Sequence, residues 1–250
     1  MTKLIANKNI FIDSNQIHRG FSLVETLLSL FLSLIIVVSA LEFLIIARNH
    51  FLKLQAEEQA KEAVYAALDK IRLDLLEAGI GLVLPIKQGS LDALRIENDI
   101  LTILRAEEEL KVSSDLVAGQ TTISLYSLKK VKKGRKICIF DSIKGEMKSV
   151  SSGNQTSFTL SSPLTFSYSH QETKLVLLKE ISFYLDTSHH ILRRKVNSSP
   201  AQPLLEETAL FKCDYDKKAN LVRLNLTLLS KEEQNYESLV FPKNLGLAFN

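Results

Sequence analysis

From Phe21 to Ala47 the chain is almost wholly apolar, with Ser22, Thr26, Ser29, Ser33 and Ser39 interspersed and only Glu25 and Glu42 charged. About 20 such residues cross a bilayer as a helix, so this run predicts a transmembrane segment. The helical pattern does not stop there. Val64, Leu68, Ile71 and Leu75 recur at spacings of four, three and four, while Glu57, Glu58, Lys61, Glu62, Asp69, Lys70, Arg72, Asp74 and Glu77 fill the other faces. That is an amphipathic helix with one buried stripe. No proline interrupts residues 21–78, and Gly79 with Gly81 supplies a stop. The expectation is one helix of about 58 residues and about 87 Å, apolar all round in its first half and one-sided in its second.

The ends of the apolar run set a direction. Residues 1–20 carry Lys3, Lys8 and Arg19 against Asp13 and hold no apolar stretch long enough for a secretory core region. The charge bias keeps this basic leader cytoplasmic and sends the following domain across the membrane. Glu25 lies close to the start of the apolar run, where an unpaired carboxylate is expensive and asks for a partner.

Beyond residue 91 the periodicity changes to that of strands. Candidates are Ala93 to Glu97, Ile100 to Arg105, Thr121 to Leu128, Lys136 to Asp141, Ser157 to Ser161, Leu175 to Leu185, Ile191 to Val196, Leu210 to Asp216 and Leu221 to Leu229, separated by Gly, Asn, Ser and Pro clusters. Two hairpins are well marked, one turning at Asp186 to His190 and one at Asp216 to Asn220. In the last candidate, Leu221, Arg223, Asn225 and Thr227 alternate with Val222, Leu224, Leu226 and Leu228, the pattern of a sheet with one covered face. The long helix is its natural cover. The fold class expected is therefore α+β, a long amino-terminal helix packed on an antiparallel β-sheet domain with an inserted β-rich region. With the leader and the apolar helix set aside, roughly 200 of the 250 residues remain, enough for a self-sufficient core. The boundaries read as a leader over 1–20, a membrane helix over 21–47, an amphipathic half over 48–79 and a β-rich globular domain over 80–250.

Gly20, Phe21, Ser22, Leu23, Val24, Glu25 and Thr26, behind a short basic leader, resemble the type III signal of type IV prepilins and pseudopilins. The resemblance implies a membrane-embedded prepilin peptidase that cuts between Gly20 and Phe21 and methylates the new Phe21 amine, with Glu25 as the assembly carboxylate. Physical chemistry agrees with those roles. Glycine suits a tight protease site because it has no side chain and wide backbone freedom. A cationic Phe21 amine on one subunit can neutralise Glu25 on its neighbour where the dielectric is low, and methylation keeps the charge. A plain single-pass anchor is the alternative reading of the same helix.

Ala67 to Gly79, Leu91 to Ile96, Glu180 to Asp186, Leu192 to Lys195, Pro203 to Tyr215 and Phe241 to Leu245 also resemble one branch of the family, the PilW-type minor pilins. Gly134-Arg135 departs from it, since the branch usually has Gly-Asp there. The resemblance implies a low-copy, pilin-like subunit that primes or caps a pilus. Its partners would be the prepilin peptidase, other minor and major pilins and the inner-membrane assembly platform. The implied location is the inner membrane, amino end cytoplasmic and globular domain periplasmic, and then the pilus. A minor pseudopilin of a type II secretion system is the close rival. A membrane-anchored periplasmic enzyme or adhesin is the rival from another class.

The remaining motifs carry less. Removing residues 1–20 leaves 28 basic and 27 acidic residues, so overall charge gives no argument for nucleic acid. Lys129, Lys130, Lys132, Lys133, Arg135 and Lys136 form one concentrated basic run, read as a solvated loop, with contact to DNA, to an anionic surface or to an acidic neighbouring subunit as the alternatives and no aromatic interleaving for stacked single strands. Cys138 and Cys213 are candidates for a bridge because an exported domain sits where disulfides persist, and two buried free thiols are the alternative. His189 and His190 read as a polar turn without ligand spacing. Strand alternation sets Asp214 and Asp216 on the face opposite Phe211, Cys213 and Tyr215. No phosphate loop, nucleophile elbow or HExxH pattern is present, so neither catalysis nor a cofactor is indicated.

Overall fold

The computed structural model describes the backbone of residues 22–126 and 130–249, with the side chains of 231–233 and 249 set aside. The layout is α+β, one long apolar amino-terminal helix and antiparallel β-sheets. By packing, the chain divides into two compact units, the second beginning at Gln59.

Helix α1 spans Leu23–Leu76. Every residue from Ser22 to Ala56 is exposed in the single chain. Among the described residues this is the one helix long and apolar enough to cross a membrane. Within the second unit the same helix becomes one-sided. Val64, Ala67, Leu68, Ile71 and Leu75 are at most 5% exposed, while Tyr65 and Leu73 on the other side are 62% and 51% exposed. The expected stripe is thus the buried one. The helix ends by tightening: the Ala78 amide donates to the Leu75 carbonyl at 3.1 Å, and Gly79 follows at φ +74°. Leu245 Cδ2 would lie 2.8 Å from a Cβ at Gly79, so both conformation and space require glycine there. Asn244 caps the same end from far along the chain, its Nδ2 donating to the Leu76 carbonyl at 2.9 Å.

Twelve strands follow among the described residues: β1 (Leu94–Glu97), β2 (Ile100–Leu110), β3 (Thr122–Ser124), β4 (Lys136–Phe140), β5 (Gly145–Gly153), β6 (Ser157–Leu160), β7 (Lys174–Asp186), β8 (Ile191–Val196), β9 (Gln202–Leu205), β10 (Thr208–Asp216), β11 (Leu221–Leu228) and β12 (Lys231–Val240). Short helices α2 (Val83–Lys87) and α3 (Lys243–Phe249) flank them. The larger sheet runs β1-β2-β7-β4-β5-β6-β3, and a separate sheet runs β10-β11-β12. Strand β7 is shared along its length. Its first part pairs with β4 (Leu177 with Ile137, Lys174 with Phe140), its last part pairs with β8 (Ile181 with Val196, Asp186 with Ile191), and β9 extends β8. Both expected hairpins are present, β7 with β8 and β10 with β11.

β2 leaves for an insertion at Leu110 and β7 returns beside it, Leu110 being the register partner of Leu175. The insertion has a core of its own that includes Val112, Ile123, Phe158 and Tyr168. β4 and β7 separate that core from the main one. Cys138, Phe140, Val176 and Leu178 face the main core, and Ile137, Ile139, Leu175 and Leu177 face the satellite core. A strand buried on both faces reads as a continuous apolar run, as Ile137 to Phe140 and Leu175 to Leu178 do.

One expected strand shortens, and β5, β9 and β12 have no counterpart among the candidates. Thr121 to Leu128 shortens to Thr122–Ser124, with 127–129 outside the described residues. Strand β5, Glu-Met-Lys-Ser-Val-Ser-Ser between its end glycines, lacks a hydrophobic alternation because one of its buried residues is an acid. Glu146 is 8% exposed and accepts the Thr165 amide at 2.9 Å and the Phe166 amide at 3.2 Å, with Lys148 Nζ 2.9 Å away. β12 escaped notice because its buried positions are Tyr236 and Val240 while Leu239 is 53% exposed, which inverts the usual cue.

The helix is also held electrostatically. Arg194 on β8 reaches Asp74 with Nε at 2.7 Å from Oδ2 and Nη2 at 3.3 Å from Oδ1, and its guanidinium lies 6.0 Å from the Phe183 ring centroid. A two-point contact of this kind favours the same rotation of the helix against the sheet as the buried stripe does. Ile71 is fully buried and Leu73 is half exposed. Ile71→Ala is therefore expected to lower unfolding free energy by about 2–5 kcal/mol, and Leu73→Ala by about 0.5 kcal/mol or less. Chemical denaturation of the full chain in detergent, followed by circular dichroism, measures both.

Candidate functional site

The site singled out by sequence lies where α1 begins. Gly20 and Phe21, the expected cleavage and methylation positions, lie outside the described residues, as does the whole leader. Ser22 and Glu25 are described and are joined by two hydrogen bonds. The Ser22 amide donates to Glu25 Oε2 at 3.0 Å, and the Glu25 amide donates to Ser22 Oγ at 3.3 Å. This reciprocal arrangement is a capping box, in which two amides that the helix cannot satisfy find side-chain acceptors. The carboxylate also stands in the first turn, at the positive end of the helix dipole.

Glu25 is therefore not bare within its own chain. One oxygen is held by the backbone, leaving Oε1 without a partner among the described residues. Ser22 is thus the N-cap of α1. Its signal was present, because Ser-x-x-Glu directly before an apolar run is a helix-start signature. Further along, the Thr26 hydroxyl donates to the Leu23 carbonyl at 2.9 Å and Ser33 to Leu30 at 2.8 Å. Hydroxyls that bond back to their own helix can sit in hydrocarbon without seeking water.

The other candidates fall away from one another. Cys138 lies on β4 and Cys213 on β10, in different sheets, and both are buried free thiols, so the bridge is not formed. Burial pushes the Cys138 thiol up to about 12. Burial, with Asp214 and Asp99 nearby, likewise pushes Cys213 up. A thiol held protonated is a poor nucleophile and metal ligand. Asp214 and Asp216 are exposed, opposite Phe211 and Cys213 as the alternation required. His189 sits in the β7–β8 turn beside Asp186, whose carboxyl the Ser188 hydroxyl and Arg193 guanidinium hold below the usual range.

The basic run divides. Arg135 pairs with Glu107, and Lys136 with Glu180 at 2.7 Å, while Lys130, Lys132 and Lys133 are exposed and Lys129 lies outside the described residues. No group of three or more His, Cys, Asp or Glu able to hold a metal occurs among the described residues. Two open clefts, of about 520 Å³ beside Leu94, Ile96, Cys213 and Tyr215 and about 460 Å³ beside Val83, Ala106, Phe140 and Val176, are the larger hollows described.

No protein-family model matches the sequence, and no curated protein matches it. Solved structures matching part of the chain include the Pseudomonas phage phi297 tailspike gp61, 16% identical over 30% of this chain and 14% of that one, with a TM-score of 0.26. The Gp54 tailspike of Acinetobacter baumannii bacteriophage AP22, in complex with A. baumannii capsular saccharide, is 20% identical over 32% of this chain and 15% of that one, TM-score 0.27. The tailspike gp49 from Pseudomonas phage LKA1 is 20% identical over 30% and 14%, TM-score 0.25. The match thus spans at most 15% of those chains' length, and a likeness of that size says nothing of what this chain binds or does.

Removing the Ser22 hydroxyl takes away the acceptor for the Glu25 amide, a loss of about 1 kcal/mol in the first turn. Ser22→Ala is accordingly expected to speed hydrogen exchange of the Glu25 and Thr26 amides in micelles roughly fivefold, and Ser22→Asn to leave it near the parent rate.

Proposed function

We propose that the chain is a minor type IV pilin, pilin-like in fold and without catalytic activity, which primes or caps a pilus after cleavage between Gly20 and Phe21. The observation that carries this reading is the amino end of α1. An exposed apolar helix opens on a carboxylate three residues after Ser22, with one oxygen bonded to the backbone and the other able to take a cation. In a bundle of such helices, a methylated Phe21 amine from the neighbouring subunit is the cation of matching position, and its attraction to Glu25 is several times stronger there than in water. The pair fixes the axial register of one subunit on the next. The amphipathic half of the helix, with its stripe buried under strands, supplies a domain carried by that register.

On this reading the subunit enters the inner membrane with its amino end cytoplasmic and its β-rich domain periplasmic. It meets the prepilin peptidase and the assembly platform there and then joins other minor and major pilins. The same features fit a minor pseudopilin of a type II secretion system, whose helix and processing are alike. The genes beside this one separate the two. A membrane-anchored enzyme or adhesin needs no cut at Gly20 and no acid at position 25.

Glu25→Ala is expected to leave membrane insertion intact and to reduce subunit recovered in sheared filaments roughly tenfold or more, the loss equivalent to one modest ion pair. Wild-type recovery would remove the role given to the carboxylate. Mass spectrometry of the membrane-extracted protein should find a mature chain that begins with methylated Phe21. An intact Met1, or a cut beyond Ala47, would point instead to the anchored enzyme or adhesin.

A further inference from the structure

Charge is unevenly placed along the chain. Residues 111–173 hold nine Lys and Arg against four Asp and Glu, a formal +5, whereas the whole chain is +3 and the remainder therefore −2. Within this inserted lobe Lys144 pairs with Asp141 at 4.0 Å and Lys148 with Glu146 at 2.9 Å, and of the excess Arg135 and Lys136 are matched from outside it by Glu107 and Glu180. Lys111, Lys130, Lys132 and Lys133 are exposed and have no carboxylate partner among the described residues.

These lysines are held in place. Val131, between Lys130 and Lys132, is 2% exposed in the satellite core, and its carbonyl lies so close to β5 that a Cβ at Gly153 would stand 2.4 Å from it. Gly134 turns the chain at φ +80° and donates its amide to the Val150 carbonyl at 2.8 Å. A buried valine flanked by outward lysines fixes the charges on a firm backbone. Tyr126 occupies the same end of the lobe. Its amide donates to the Lys111 carbonyl at 3.0 Å, the Leu125 amide to the Thr156 carbonyl at 2.8 Å, and Gly153 pairs with Phe158 next to that turn. The Tyr126 ring is 69% exposed.

We propose that Lys111, Tyr126, Lys130, Lys132 and Lys133 form a docking surface for a bilayer rich in anionic phospholipid. A lysine near such a surface is worth roughly fivefold in binding, so the three of the loop together give on the order of a hundredfold. That is too little to retain a partner free in solution. It is enough for a surface to which the chain is already tethered, because a helix able to cross a membrane keeps the headgroups at high effective concentration. Tyrosine favours the headgroup region, where its ring and hydroxyl meet different surroundings. Duplex nucleic acid is a poorer fit, since proteins that grip it neutralise about 6–10 phosphates. The inference needs only the membrane-spanning helix and stands whether or not the chain is a pilin.

The chain contains no tryptophan, so Tyr126→Trp provides a lone emitter. The full chain carrying it is reconstituted into vesicles of phosphatidylcholine alone or with about a third phosphatidylglycerol. A blue-shifted emission quenched by brominated lipid is expected only with the anionic vesicles, and raised salt should reverse it. Adding K130E/K132E/K133E should abolish the difference with circular dichroism unchanged. If that variant misfolds, K130Q/K132Q/K133Q should reduce the difference. Equal emission in both vesicle types, or a difference that survives the lysine substitutions, overturns the proposal. A shift produced by adding a DNA duplex to the neutral vesicles also overturns it, in favour of nucleic acid.

Discussion

The second unit is organised around the one buried stripe of α1. Val64, Leu68, Ile71 and Leu75 leave water against residues of both sheets, and burial of side chains of this size is worth about 1.5–3 kcal/mol each before chain entropy is subtracted. A single stripe already chooses which face of the helix turns inward, since Tyr65 and Leu73 on the other side stay exposed. The Asp74–Arg194 pair reinforces that choice, because a planar guanidinium bonded at two points tolerates little turning.

The inserted lobe depends on the main core through a common wall. β4 and the first part of β7 present alternate side chains to opposite cores, so neither core has those strands to itself. A polar substitution at Val176 disturbs one core and at Leu177 the other, although the two residues are neighbours. The lysine loop, which runs directly into β4, is anchored on the satellite core by Val131. Its shape therefore rests on ordinary packing even where its surface is strongly basic.

Much of this was legible in the sequence. The switch from a helical to a strand-like period, the two hairpins and the Val64-to-Leu75 stripe follow from local spacing, and local spacing is what sequence records best. What stayed hidden was set by partners distant along the chain. Glu146 on β5 is buried because amides of Thr165 and Phe166 need an acceptor, a fact no window around Glu146 contains. β12 shows Leu239 outward and Tyr236 inward because only one of its faces meets α1's side of the sheet, where Tyr65 stands edge-on at 6.1 Å between ring centroids. At the candidate site, the Ser22-x-x-Glu25 pattern does record locally the cap that holds the acid. The chemistry expected for Gly20 and Phe21 rests on resemblance alone.

The contact of Asn244 with the Leu76 carbonyl joins positions 168 residues apart, and Leu245 fills the space over Gly79. A chain synthesised from its amino end makes the helix well before it makes the residues that cap it. Until Asn244 and Leu245 arrive, the helix terminus keeps an orphan carbonyl and the main core lacks a side chain, and loop closure over such a span is entropically slow. Nascent chains consequently pass through an interval of incomplete burial, the period in which chaperones and proteases find them most readily.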